Sequence, residues 1–198
     1  MTDAKQIPIL FSTPMVQAIL EGRKTQTRRL VKFPKDYTGG EVYKNSIYGL
    51  KYESNLYGDT VQRLAYALPG DIFWVRETWA EFSGIEPKIE YVYKADKIFD
   101  TPAKEHLSGN RWKPSIHMPK AACRLFLKVV SVGVERLHDI SEADAKAEGA
   151  KAASLPDLGN TWKTHKQGFE YLWHSINGEE SWKQNPWVWV INFEKTEQ

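Results

Sequence analysis

Gly22-Arg23-Lys24-Thr25-Gln26-Thr27-Arg28-Arg29 sets three arginines, one lysine and two threonines within eight residues. The nearest acids are Glu21 on one side and Asp36 on the other, so four like charges repel without an acid among them. Three chemistries fit this pattern. A charge run is ordinarily a solvated face whose aliphatic stems cover apolar surface. The same run can grip phosphate or a nucleic-acid backbone through Arg23, Arg28 and Arg29. In the third, neighbouring cations lower the pKa of Lys24, which then acts as a base on the hydroxyl of Thr25 or Thr27. Lys24 and Thr27 are three apart and fall on opposite faces of a regular strand, so this last reading requires a turn or bulge.

Two acids stand out beyond the cluster. Glu77 alternates with Trp74, Arg76 and Trp79 in a strand with apolar residues on both faces, where a glutamate is expected to pair with an arginine. Glu148 closes a short helix, the unfavourable end for a negative charge. The five histidines are dispersed and read as surface or packing residues. His117 is the exception, in a stiff loop between Pro114 and Pro119, close to Lys113. The tryptophans at 74, 79, 187 and 189 read as core before they read as a stacking platform. No phosphate-binding glycine loop, dinucleotide fingerprint or paired histidines occur, so neither a cofactor nor a metal is expected.

The elements that must position these residues follow from periodicity. Residues 7–11 predict a strand, followed by a helix N-capped by Thr13 with Pro14 at its first position. Met15, Val16, Ile19 and Leu20 form its apolar face, and Gly22 is a left-handed stop that delivers the basic cluster at the helix end. Residues 35–68 scatter six tyrosines without a sustained period and read as an insertion or a long aromatic loop. Pro69-Gly70-Asp71 turns the chain into a strand over 72–79. Further strands are expected at 89–93, 124–134 and 187–193. Ser141-Glu142-Ala143-Asp144 opens a helix that runs through Glu148 to Gly149, and a second helix spans 167–176.

A chain of 198 residues suits one domain, 1–198, with the insertion inside it. Hydrophobic residues at 41% and charged residues at 26% describe a globular chain with its own core. A net charge of only +2 confines any nucleic-acid contact to a local patch. Cys123 is the single cysteine, so no intrachain disulfide forms, and its setting reads as a buried strand. No run approaches a membrane span and no signal core precedes the first strand, so the expected location is the cytoplasm. Oligomeric state cannot be read from these features.

Taken in order, these pieces resemble the ASCH family of the PUA-like superfamily. The resemblance rests on Gly22-Arg23-Lys24-Thr25-x-Thr27-x-Arg29, Pro69-Gly70-Asp71, and Ser141-Glu142-x-x-Ala145-x-x-Glu148-Gly149. Trp74-Val75-Arg76-Glu77-Thr78-Trp79 and Asn185-Pro186-Trp187-Val188-Trp189 are similar to the larger members found in phage and prophage genomes. The resemblance implies an α+β fold, a small β-barrel of five to six strands with short flanking helices. It also implies recognition of RNA or of a modified nucleoside. One branch, the bacterial N4-acetylcytidine amidohydrolases, is similar in carrying a lysine, a threonine and a glutamate where this chain has Lys24, Thr27 and Glu148. Those three are the expected catalytic residues of a metal-independent amidohydrolase, with Thr27 attacking, Lys24 as base and Glu148 orienting the lysine, serving the leaving amine or activating water. Arg23, Arg28, Arg29, Arg76, Glu77, Trp79, Lys113 and His117 are the expected substrate contacts. A non-catalytic RNA-binding module and a ribonuclease remain the alternatives.

Overall fold

A computed structural model of the chain describes residues 4–33, 42–45, 49–53, 60–65, 67–81, 91–96, 111–151, 154–155, 160–161 and 164–196. The fold is α+β. Strands β1 (Gln6–Leu10), β2 (Gln26–Leu30), β6 (Ile72–Arg76), β9 (Phe126–Arg136) and β12 (Trp187–Thr196) form a mixed sheet in the order β1-β6-β9-β12-β2. By its contacts the chain divides into two compact units. The first takes residues 1–22, 71–128 and 194–198, and the second takes 23–70 and 129–193.

In the first unit β1 runs parallel to β6, with Ile9 opposite Val75. As an edge strand β1 tolerates Pro8, which has no N–H to give to a ladder. Phe73 and Val75 of β6 alternate into the core, which gives the strand its period of two. The helix α1 (Thr13–Leu20) follows β1. Its N-cap is Ser12 rather than Thr13, and the Ser12 side chain makes no capping bond, so the start is set by Pro14. Gly22 has φ +72, as a left-handed stop requires. The strand expected over 72–79 breaks at Glu77 and Thr78, and a separate strand β7 (Trp79–Glu81) pairs antiparallel with β8 (Tyr91–Tyr93). Residues 89 and 90 of the expected strand lie outside the described residues. Cys123 sits at the end of a one-turn helix, half-buried, and not in a strand.

The second unit gives the insertion a form that its aperiodic sequence did not suggest. β3 (Val42–Asn45), β4 (Gly49–Glu53) and β5 (Thr60–Leu64) form an antiparallel meander. In the 150–163 segment, β10 (Ser154–Leu155) pairs with β11 (Asn160–Thr161). Helix α2 (Glu142–Ala147) starts where the capping pattern placed it, with Ser141 Oγ accepting from the Asp144 amide at 3.0 Å. It ends at Glu148 because Gly149 takes φ +81. Helix α3 (His165–Asn177), capped by Thr164, is longer than expected, and the short α4 (Glu179–Lys183) follows it. Phe169 and Trp173 of α3 bury against Leu137, Ile140, Ala145, Val188 and Val190. Each large apolar side chain so enclosed contributes about 1.5–3 kcal/mol, which is what holds α2 and α3 to the sheet.

Gly168 marks the closest approach in this packing. A Cβ there would collide with the carbonyl oxygen of Lys151. An ordinary helical Gly→Ala change gains about 1 kcal/mol, whereas overpacking costs about 1–3 kcal/mol. Backbone is the obstacle here and cannot swing aside, so Gly168→Ala is expected to lower the urea midpoint of unfolding. A raised midpoint would show that the segment at Lys151 gives way freely.

Candidate functional site

In the second unit the segment from Lys24 to Leu30 is held along both edges. On one side β2 pairs antiparallel with β12, from Val188↔Leu30 to Asn192↔Gln26, and the Phe193 amide extends the ladder to the Thr25 carbonyl. On the other, Lys24 bridges Glu148, and the Thr25 amide donates to Ala147 O at 2.9 Å. No bulge interrupts this register, so side chains alternate strictly. Lys24, Gln26 and Arg28 share one face, and Thr27 lies on the other.

The Lys24 ammonium is enclosed, its side chain 0% exposed and that of Glu148 3%. It donates to Glu148 Oε2 at 2.7 Å, to the Glu148 carbonyl at 2.9 Å and to the Gln26 carbonyl at 2.7 Å. Three acceptors match the three N–H bonds of an ammonium and leave it no spare donor. Burial pushes the Lys24 pKa below the ordinary lysine value. The charge and hydrogen bond of Glu148 oppose that shift, and Arg29 and Arg28 add to it.

Arg28 extends the network. Its Nε and Nη2 donate to Glu135 Oε1 at 2.9 and 2.6 Å, and Nη1 donates to Gln26 Oε1 and lies 3.4 Å from Glu148 Oε1. Nη2 is 3.7 Å from Asp144, and the guanidinium stands over the Phe169 ring at 5.8 Å. Gln26 Nε2 donates to Asp144 Oδ1 at 3.0 Å and to Asn192 Oδ1 at 2.9 Å, while Asn192 Nδ2 donates to Ser131 Oγ. Burial works to raise the Asp144 pKa, but hydrogen bonds from Ser141 and Gln26 and the charge of Arg28 bring it below the ordinary aspartate value. Two cations thus face three carboxylates, and the cluster meets solvent at Asp144, 36% exposed, and Glu135, 22% exposed.

The structure therefore brings Lys24 and Glu148 together and leaves Thr27 on the far face of the strand, itself only 2% exposed. Arg28, expected to contact substrate, is 5% exposed and committed inside the network. Arg23 donates to the Gly149 carbonyl at 3.2 Å, and Arg29 is half-buried. Gln26, Glu135, Asp144 and Asn192 were not singled out from the sequence. The shared parity of 24, 26 and 28 was the available signal for Gln26.

The remaining expected contacts gather in the first unit. Glu77, 1% exposed, occupies the break after β6, where its amide faces Met118 Sδ at 3.2 Å. It does pair with an arginine. Arg124 donates through Nε and Nη2 to the two Glu77 oxygens at 2.9 and 3.1 Å, and through Nη1 to Asp96 Oδ2 at 2.8 Å. Burial nevertheless holds the Glu77 pKa above the ordinary glutamate value, against the hydrogen bond and charge of Arg124. Trp79 is buried beside Met118 and Ala122, with Tyr91 edge-on and the Lys113 ammonium 4.7 Å from its ring. Lys113 also pairs with Glu81 at 2.7 Å. Arg76 stacks over Trp74 and donates to the Met118 and Ile116 carbonyls, and His117 is exposed. Among the described residues no group of three or more His, Cys, Asp or Glu is arranged to hold a metal ion, and no helix is long and apolar enough to cross a membrane.

Comparison of the chain with protein-family models, with curated proteins and with solved structures finds no match.

Tyr93 reports on the first unit directly. Burial pushes its phenol pKa up to about 12, outweighing the nearby Arg124 cation at 3.9 Å from its ring. Its hydroxyl donates to Ala122 O at 2.7 Å, which also favours the neutral phenol. A folded-state pKa above the unfolded value of about 10 makes the phenol's contribution to stability complete below pH 10 and lost as pH rises through about 12. The absorbance titration of the wild type minus that of Tyr93→Phe is expected to show a midpoint near 12. A midpoint at the ordinary tyrosine value would contradict the packing described.

Proposed function

We propose that the chain recognises RNA or a modified nucleoside and acts on it through the Lys24–Glu148 pair, as a metal-independent amidohydrolase of N4-acylated cytidine-type substrates. The observation that carries this reading is the enclosed ion pair at 2.7 Å, formed between two of the segments on which the ASCH resemblance rests. A lysine taken fully out of water is costly, and strongly perturbed ionisable groups of this kind concentrate at functional sites. The same reading takes the mixed five-stranded sheet as the body of a small PUA-like barrel.

The geometry favours water over Thr27 as the nucleophile, because Thr27 faces away from the pair. Glu148 Oε1, only loosely engaged by Arg28 at 3.4 Å, accepts a proton from that water. The water oxygen bonds the acyl carbon, the C–N4 bond breaks, and the proton passes to N4, which leaves as the amine of cytidine. Lys24 keeps Oε2 occupied, which leaves Oε1 as the oxygen placed to take the proton. Opening at the Asp144 and Glu135 edge is needed for substrate to reach it.

A second reading, RNA binding without chemistry, is favoured by the completeness of the Lys24 enclosure. Chromatographic assay of N4-acetylcytidine separates the two. On the hydrolase reading cytidine and acetate appear, Glu148→Gln loses about 10²–10⁴-fold in turnover, and Thr27→Val keeps most of it. Undiminished turnover in Glu148→Gln overturns that reading. An inert wild type whose RNA affinity falls steeply with salt supports the binding module instead.

A further inference from the structure

A cation in a basic run is naturally assigned to a ligand, yet Arg28 spends its whole guanidinium inside the protein. Its side chain is 0% exposed. Nε and Nη2 lie on one oxygen of Glu135, Nη1 faces both Gln26 Oε1 and Glu148 Oε1, and Phe169 closes the flat face. No ligand can be bound by a group so placed without dismantling these contacts. The groups around the network are Lys24 just before β2, Gln26 and Arg29 on β2, Glu135 on β9, Asp144 and Glu148 on and just after α2, Asn192 on β12 and Phe169 on α3.

Glu148 is divided between two cations, with Oε2 on Lys24 and Oε1 toward Arg28. A carboxylate held at one oxygen alone rotates about its terminal bond, a soft, two-fold torsion. A second cation at the other oxygen removes that freedom. Arg28 suits the task because its planar fork is pre-organised and is itself fixed from three sides. We propose that Arg28 is a positioning residue for the Lys24–Glu148 pair, its guanidinium anchored on Glu135 and Gln26 and holding the Glu148 carboxylate in the orientation that presents Oε2 to the lysine. The inference deepens the functional reading above, but it concerns the free protein and is measurable without any turnover.

Two roles for Arg28 have opposite signs at Lys24, which makes the test decisive. As a mere neighbouring charge, Arg28 repels the Lys24 proton, so its removal raises the Lys24 titration midpoint. As a positioning residue, its removal frees Glu148 to turn away, the buried ammonium loses its partner, and the midpoint falls. The probe is the side-chain ammonium signal of lysine-labelled protein followed by NMR against pH, with Lys24 assigned by its loss in Lys24→Met. A fall in both Arg28→Gln and Arg28→Lys supports the proposal, since lysine keeps the charge and loses the fork. A rise in Arg28→Gln, or no change in either variant, overturns it. Arg28→Lys retains a cation and most of the volume, so it decides the matter alone if Arg28→Gln does not fold. Loss of N4-acetylcytidine turnover with the Lys24 titration unmoved would count against positioning only. A shifted titration in a protein without hydrolase activity would count against the hydrolase reading only.

Discussion

A lysine ammonium with no exposure must find its acceptors inside the protein, and the second unit is arranged around that requirement. Removing a cation from water costs several kcal/mol after relaxation, and the Coulomb attraction of one carboxylate offsets this only with good geometry and further hydrogen bonds. Lys24 has both, in Glu148 Oε2 and two carbonyls. One of those carbonyls belongs to Glu148 itself, at the C-cap of α2, where the helix leaves acceptors unpaired and favours a cation. A glutamate at a helix C-terminus is poorly placed by its own charge. The lysine resolves that conflict by serving the carbonyl and the carboxylate at once. The start of β2 and the end of α2 at Gly149 meet at this pair.

The first unit solves a similar problem with a different cation. Glu77 is as deeply buried as Lys24, and it is met by the two-pronged guanidinium of Arg124, which Asp96 and Tyr93 support from other sides. A fork matches both carboxylate oxygens and leaves neither for chemistry. Lys24 engages one Glu148 oxygen as a point charge, and the second meets only the longer 3.4 Å contact of Arg28. That contrast favours Glu148 over Glu77 as the proposed base.

Much of the local architecture was legible because it rests on short-range rules. Ser141 and Gly149 bracket α2, Pro14 and Gly22 bracket α1, and apolar runs opened by Pro69-Gly70-Asp71 and by Pro186 mark β6 and β12, all within a few residues of the signal itself. The failures are of a different kind. Thr13 and Ser12 are equally good caps by type, and tertiary placement chose Ser12. The meander over 42–64 hides behind scattered tyrosines because its pairing, not its periodicity, makes it a sheet. The break at Glu77 is invisible in a run of aromatic residues, since it is imposed by a buried carboxylate turning toward Arg124, 47 residues away. Lys24 and Glu148 were each visible as oddities, a lysine among arginines and a misplaced glutamate, but their sequence separation of 124 is closed only by the fold. The enclosure of Arg28 is hidden for the same reason. A basic run gives no sign of which members turn inward until β12 and α2 fix the faces of β2.

The most direct test of this account is a double-mutant cycle on unfolding free energy with Lys24→Met and Glu148→Leu. Each single change strands a buried charge and is expected to cost about 3–5 kcal/mol, while the double variant, which removes both charges, is expected to cost well under their sum. Losses that simply add, or single changes that leave stability untouched, would contradict a unit organised around this pair.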